Sequence, residues 1–373
     1  MKFLHIADLH LGAQIHEFSM LEEQRYILME IERMAKIYRV DAVLIAGDIY
    51  DRSIPSVEAV ALFDAFISGL HCPVCIISGN HDSAQRMQFG ARIMEKQKVY
   101  VQGTLKKPLY HADFKDRYGT VEVWMLPFVR PETARALGYS GTSYQDAVDF
   151  MLEDMPEPGE NRRVLMAHQY VVKDETADKA ENDLNIGGLD QIRVSSFEGF
   201  DYVALGHIHG ASRIGKNMVC YSGSPLKYSF SEAQQTKCAL LVELKKKGDV
   251  TVKELPLEPY RDWREIKGPL EKLISLEVVS QNDPNDYIRA ILTDDEVYDA
   301  VGQLRSVYPN LMRIDFDNAR TRSEGGAQGA KELPKLESLD KLFAQFYEEQ
   351  MGRELSEEDN EIVAKILKEG GSL

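Results

Sequence analysis

The sequence predicts an α/β fold, and three observations carry that expectation. Short apolar runs recur along the chain and end in Gly, Asp, Asn or His; amphipathic helical stretches alternate with them; and 44% apolar with 28% charged residues is the balance of an ordinary soluble protein. At 373 residues the chain exceeds one average domain, so a large core, a smaller module and a tail are expected. The organising stretch is Val43-Leu44-Ile45-Ala46-Gly47-Asp48-Ile49-Tyr50-Asp51, a buried strand that delivers the Asp48 carboxylate to the carboxyl edge of its sheet.

In chain order, residues 2–7 form the first strand and Asp8-Leu9-His10-Leu11-Gly12 turns off its end. Asp8 and His10, two positions apart on extended backbone, point to one side and can reach one metal ion. Strand alternation makes His5 a core residue. Residues 20–38 carry Leu21, Leu28, Ile31, Ala35 and Tyr38 on one helical face, which closes a right-handed strand-helix-strand unit with the strand of Asp48. Pro55 and Ser56 open a helix over 57–70, and the strand at 74–77 ends in Gly79-Asn80-His81-Asp82.

A helix is expected over 86–98, strands at 99–102 and 121–126, and between them a polar loop or hairpin at 106–119 that carries His111 on the surface. A helix over 142–151 precedes the strand at 164–167, which presents His168, and residues 173–191 read as a lid or flexible loop. The strand at 202–205 ends in Gly206-His207-Ile208-His209. Strands at 219–223 and 238–244 follow, the second running into a turn at 245–249. Residues 288–292, 296–308 and 311–316 give a small strand, helix, strand module. The proposed boundaries are 1–255 for the core, 256–320 for the module, 321–332 for a linker with three glycines and 333–373 for a tail of two amphipathic helices. Helices with that much apolar surface need something to bury it against, their own chain or a partner.

Five of the nine histidines (10, 81, 168, 207 and 209) fall directly after predicted strands, beside Gly or acidic and amide donors. A scatter of core and surface residues would not cluster so. Together with Asp8, Asp48 and Asn80 they offer hard oxygen and imidazole ligands suited to Mn²⁺, Fe²⁺ or Zn²⁺, with no thiolate. Asn80 ligates without adding charge. His81, beside a ligand, is the candidate acid, with Asp82 as the neighbour that would fix its tautomer and favour its protonated form. The set reads as a two-metal phosphoesterase, in which a pair of ions acidifies a shared water and clamps the oxygens of an in-line displacement at phosphorus.

Cys72 and Cys75 have the spacing of a redox or zinc pair, but Cys75 lies inside a strand and the other two cysteines stand alone, so buried structural thiols are expected. No apolar run approaches the roughly 20 residues of a membrane helix, and residues 1 and 2 lead straight into a strand without a signal peptide, which places the chain in the cytoplasm with no membrane partner. The net charge of −16 argues against a chain that grips DNA alone, since phosphate neutralisation supplies most of such affinity.

Asp-x-His, Gly-Asp-x-x-Asp, Gly-Asn-His-Asp and Gly-His-x-His in this order resemble the calcineurin-like metallophosphoesterase superfamily. The resemblance implies a sandwich of two sheets flanked by helices, a bridging Asp48, one centre of Asp8, His10, Asp48 and His209, and another of Asp48, Asn80, His168 and His207. The opening Phe3-Leu4-His5-Ile6-Ala7-Asp8, the stretch Tyr221-Ser222-Gly223-Ser224-Pro225-Leu226-Lys227-Tyr228-Ser229-Phe230-Ser231-Glu232, the small module and the helical tail narrow it. They resemble the superfamily's DNA nucleases that work with a coiled-coil ATPase in DNA repair and recombination. That likeness implies two Mn²⁺ ions, three-prime to five-prime exonuclease action on duplex ends and endonuclease action on single strands and hairpins. It also implies a homodimer through 57–70 and 86–98, a capping module, a tail bound to the ATPase, and no direct catalytic role for Asp51. The ATPase would then supply much of the DNA grip. The alternative is a metallophosphoesterase of a small or cyclic phosphodiester, for which the last 120 or so residues would be unnecessary; a silent scaffold would have lost a ligand, and none is lost here.

Overall fold

The computed structural model describes residues 1–157, 159–174, 190–215 and 218–318. The expected linker at 321–332, the tail at 333–373 and most of the expected lid lie outside the described residues. The chain begins with β1 (Lys2–Ile6), a ribbon of β2 (Gln14–Ile15) and β3 (Phe18–Ser19), then α1 (Leu21–Ile37), β4 (Ala42–Ala46), α2 (Val57–Gly69) and β5 (Val74–Ile77). Two short helices, α3 (Ala84–Gln88) and α4 (Ala91–Met94), and a 3₁₀ turn lead to β6 (Val99–Gln102). The single helix expected over 86–98 is therefore broken. Gly90 between its two pieces takes φ 75°, a left-handed value at which a helix stops.

The chain continues through β7 (Tyr110–Asp116), β8 (Gly119–Leu126), α5 (Pro131–Arg135), α6 (Tyr144–Leu152), β9 (Arg162–His168), β10 (Tyr170–Val172) and β11 (Gln191–Arg193). After it come β12 (Tyr202–Gly206), β13 (Ser212–Ile214), β14 (Val219–Tyr221), β15 (Cys238–Leu244) and β16 (Val250–Pro256). Six-stranded sheets of order β16-β15-β1-β4-β5-β6 and β13-β14-β12-β9-β8-β7 form, and each contains a run of four parallel strands, β1-β4-β5-β6 in the first and β14-β12-β9-β8 in the second.

Alternation along the strands dictates how the layers stack. On β4, Ala42, Leu44 and Ala46 face a cluster shared with Val164, Met166, Tyr202 and Ala204 of the second sheet, while Val43 and Ile45 face Ile27, Ile31, Leu62 and Phe63 of α1 and α2. On β12, Val203 and Leu205 turn the other way, towards Val148 and Met151 of α6. The result is helices, sheet, sheet, helices, with the carboxyl ends of the parallel strands of both sheets at one edge. His5 is fully buried between the sheets and its Nδ1 lies 2.8 Å from the Tyr202 hydroxyl, as a core residue should.

The last described strands, β17 (Trp263–Gly268), β18 (Tyr287–Leu292) and β19 (Leu311–Phe316), form a three-stranded sheet with the short helices α7 (Leu270–Leu273), α8 (Leu276–Val279) and α9 (Ala300–Arg305). Here α9 is shorter than the helix expected at 296–308, because Asp299 caps it: its carboxylate accepts the Gly302 N–H at 3.1 Å. Among the described residues, Met1–Ile291 with Asp299–Asp315 form one compact unit, and Leu292–Tyr298 with residues 316–318 fall outside it. Within that unit, Trp263 and Tyr287 pack on Ala13 and Met20, with Phe18 and Phe230 beside them.

Candidate metal centre

Four of the donors that meet at this edge sit in strained backbone. Asp8, His10, Asp48 and His207 all have positive φ (55°, 44°, 49° and 101°), a region that non-glycine residues occupy only where the surroundings impose it. The glycines between them are needed for space. A Cβ at Gly79 would enter the Asp48 carboxylate, and one at Gly206 would meet the Ala46 carbonyl and the His168 ring.

Asp48 stands at the centre. One oxygen accepts the His81 N–H at 2.9 Å; the other lies 3.3 Å from His168 Nε2 and 3.8 Å from His10 Nε2. Asp8, fully buried, accepts the His207 N–H and so joins β1 to the end of β12. His168 Nδ1 donates to the Ala46 carbonyl at 2.7 Å, which turns its Nε2 towards Asn80 Oδ1 at 3.2 Å. His207 Nδ1 meets the same Asn80 oxygen at 3.0 Å, and His10 Nε2 faces His209 Nε2 at 3.1 Å. Among the described residues, three groups of donors lie close enough to share an ion: Asp8, His10 and His209; His10, Asp48 and His81; Asp8, Asp48 and His168.

The donor chemistry fits divalent cations. Burial depresses the imidazoles of His10 to about 3 and His207 to about 4, so both are neutral at pH 7 with lone pairs to offer. Burial alone would lower His168 too, yet the Asp48 and Asp8 charges and the Ala46 carbonyl raise it to about 9. A place that draws a proton that strongly onto a buried nitrogen is a place that favours a cation. Burial raises the Asp8 carboxyl to about 6 against the pull of the His168 charge. All seven expected ligands, Asp8, His10, Asp48, Asn80, His168, His207 and His209, converge at this edge, and His81 stands beside them with its ring 4.9 Å from that of His10.

One expectation is corrected. The Asp82 carboxylate does not meet the His81 ring; it accepts the N–H groups of Gly79 at 2.9 Å, Tyr50 at 3.0 Å and Ile49 at 3.1 Å, tying the turn after β5 to the one after β4. The group that fixes His81 is the Asp51 carbonyl, 3.0 Å from its Nδ1, so Nδ1 carries a proton and Nε2 is left free. An adjacent carboxylate in sequence is a poor guide here, because three parallel amides outbid one ring nitrogen for it.

Sequence reasoning also passed over Phe128 and Arg130. Phe128 stacks on His207 at 6.1 Å, and the exposed Arg130 guanidinium donates to the Asn80 carbonyl at 3.1 Å. Both follow the end of β8, so the signal that exposed the other donors, position just past a parallel strand, applied to them as well. The four cysteines are free, three of them buried, in keeping with a structural role.

Residues 1–211 match the family model described as calcineurin-like phosphoesterase, and residues 259–351 match one described as type 5 capsule protein repressor C-terminal domain. A protein of Staphylococcus epidermidis, named as the D subunit of nuclease SbcCD, is 30% identical over 98% of both chains. One of the same name from Staphylococcus saprophyticus subsp. saprophyticus is also 30% identical over 98% of both. Among solved structures, a dimetal phosphatase from Danio rerio aligns with 69% of this chain and 98% of its own at 14% identity and a TM-score of 0.42. The chain belongs to the calcineurin-like phosphoesterase family and, within it, to the family of the SbcCD D subunits. It is a phosphoesterase by class.

Proposed function

We propose that the chain is the manganese-dependent DNA nuclease subunit of an SbcCD-type complex in the cytoplasm, acting in DNA repair and recombination. It would degrade duplex ends three-prime to five-prime and cut single strands and hairpins. What carries this reading is the convergence of oxygen donors from one sheet and imidazoles from the other, on a chain whose likeness to named nuclease subunits spans 98% of both. Asp8, His10, Asp48 and His209 would hold one ion and Asp48, Asn80, His168 and His207 the other. Two such ions acidify a water and neutralise charge on the phosphoryl oxygens.

The chain's own residues supply the rest. Asp48, with one oxygen held by the His81 N–H, keeps the other between the two groups of donors. His81, its Nδ1 proton committed to the Asp51 carbonyl, would pick up a second proton at Nε2 and give that one to the leaving oxygen of the phosphodiester.

The module at 256–320 would cap this edge and the segment at 333–373 would bind an SbcC-type ATPase. A homodimer through 57–70 and 86–98 draws support from Val57, Phe89 and Ile93, which are 80%, 85% and 72% exposed. Phe89 also lines a largely apolar cavity of about 530 Å³ that includes Phe63, Ile67 and Met94. The test is nucleotide release from a linear duplex by the purified chain with Mn²⁺, beside hydrolysis of a small phosphodiester. DNA degradation is expected; turnover of the small ester alone, even with the ATPase and ATP added, would favour the small-phosphodiester alternative.

A further inference from the structure

Beside the donors lies a buried ion pair that the chemistry above does not use. Glu232 ends the one-turn 3₁₀ segment Phe230–Glu232 and is 5% exposed. One carboxylate oxygen is 3.3 Å from His209 Nδ1 and accepts the Ser229 hydroxyl at 3.1 Å; the other accepts Lys237 Nζ at 2.5 Å. Lys237 Nζ, equally buried, also lies 2.9 Å from the His209 carbonyl, 3.0 Å from Ser224 Oγ and 2.9 Å from Gln235 Oε1. The ammonium thus grips the carboxylate and the backbone of the same histidine.

The turn is held from outside as well. The Phe230 ring lies 4.8 Å from that of Trp263 on β17, and Lys227 Nζ bridges the Ala233 carbonyl and the Asp262 carboxylate, both at 2.7 Å.

An ionised carboxylate only accepts, so a histidine that faces it must place its proton on Nδ1. The opposite nitrogen, Nε2, is the one that faces His10. We infer that Glu232 is the positioning residue for His209: it holds the ring in the tautomer whose Nε2 lone pair enters the metal centre, and Lys237 holds Glu232 in place. This rests on the reading of His209 as a ligand. A plain structural ion pair would stabilise the fold and leave metal affinity alone, whereas a carboxylate behind a ligating imidazole sets both its orientation and its basicity.

Glu232→Gln separates the two. Its amide oxygen can still accept from Lys237, while its NH₂ now donates to Nδ1 and moves the ring proton to Nε2, where it blocks ligation. Mn²⁺ binding to the full chain, read by electron paramagnetic resonance, should show two ions on the wild-type protein. In Glu232→Gln one ion should be weakened by about 10 to 100-fold, measured at a temperature where the metal-free variant, which also loses the charge facing Lys237, is still folded. In the metal-free wild-type protein, ¹⁵N spectra of labelled histidine should show His209 protonated at Nδ1, a readout that needs no fold-sensitive variant. Two ions of wild-type affinity on Glu232→Gln, or a wild-type His209 ring with its proton on Nε2 and none on Nδ1, would overturn the inference alone. A wild-type chain that binds no Mn²⁺ would overturn the ligand reading with it.

Discussion

The two sheets share a plan and differ in what they present. Each has a run of four parallel strands joined to antiparallel neighbours, on one side in the first sheet and on both in the second, and each brings its donors to the same edge. The first sheet ends in Asp8, Asp48 and Asn80, which are oxygen donors, with His10 two positions beyond Asp8; the second ends in His168, His207 and His209, all imidazoles. Anionic ligands therefore come from one sheet alone, and the other supplies only imidazole nitrogen. Two carboxylates offset only half the charge of two divalent ions, so a site built this way stays positive towards a phosphate, whereas a carboxylate-rich one would repel it. The chain's net charge of −16 says nothing of this, because the balance is struck locally, by which sheet supplies which atom.

The largest effect is expected where the division is least even. Asp48→Asn keeps the shape and removes the charge whose free oxygen lies between His10 and His168. Mn²⁺ titration should find neither ion bound at concentrations that saturate the wild-type protein, and cleavage should vanish with them. One ion retained at full affinity would mean that Asp48 serves a single centre. His81→Ala, which removes none of the seven expected ligands, should keep both ions yet slow DNA cleavage by about 10² to 10⁴-fold, the usual worth of a positioned proton donor. Unchanged cleavage at full metal occupancy would remove His81 from the mechanism.

Much of this edge was legible because its signals are local. An apolar run followed by Gly-Asp, Gly-Asn or Gly-His reads as a buried strand with a donor at its end, and Asp48, Asn80 and His207 needed nothing more. What stayed hidden depends on which backbone groups meet in space. Asp82 sits beside His81 in sequence, yet its carboxylate is taken by the amides of Gly79, Ile49 and Tyr50, two of them on the turn that follows a different strand. Asp51, assigned no direct catalytic part, acts through its carbonyl, an atom every residue has and no motif can flag. Trp263 begins a strand that no local signal marked, because its apolar face is completed by Phe230 and Tyr287 rather than by near neighbours. These differences set the next effect in size. Asp82→Ala should cost the metal-free protein about 3 kcal/mol in urea unfolding, since it strands several amides, while Asp51→Ala, which keeps the carbonyl, should cost far less. Equal losses would mean that the turn is not held as described.

The smallest effect tests how the sheets are joined away from the metal edge. Arg162, at the start of β9 and 1% exposed, reaches across to the first sheet and donates to the carbonyls of Leu244 at 3.3 Å and Lys245 at 2.8 Å. Within its own sheet it donates to both Asp116 oxygens, at 2.5 and 3.1 Å. Burial would raise the Asp116 carboxyl, but the hydrogen bonds from Arg162, the chain's amino terminus and the Tyr118 N–H outweigh it and hold the group well below the usual carboxylate range. A carboxyl depressed in the folded state binds its proton first in the unfolded chain. Its stabilisation is complete above the ordinary carboxylate pKa of about 4 and is lost as pH falls through the depressed folded value. With metal removed, so that the ligands at the other end do not contribute, Asp116→Asn should cost about 1 kcal/mol near neutrality, a modest figure because the carboxylate is partly solvated. The gap to the wild-type protein should narrow steadily as the pH drops below about 4. A gap that holds constant across that range would mean that Arg162 clamps the sheets through the carbonyls alone, and that charge joins them only where the metals bind.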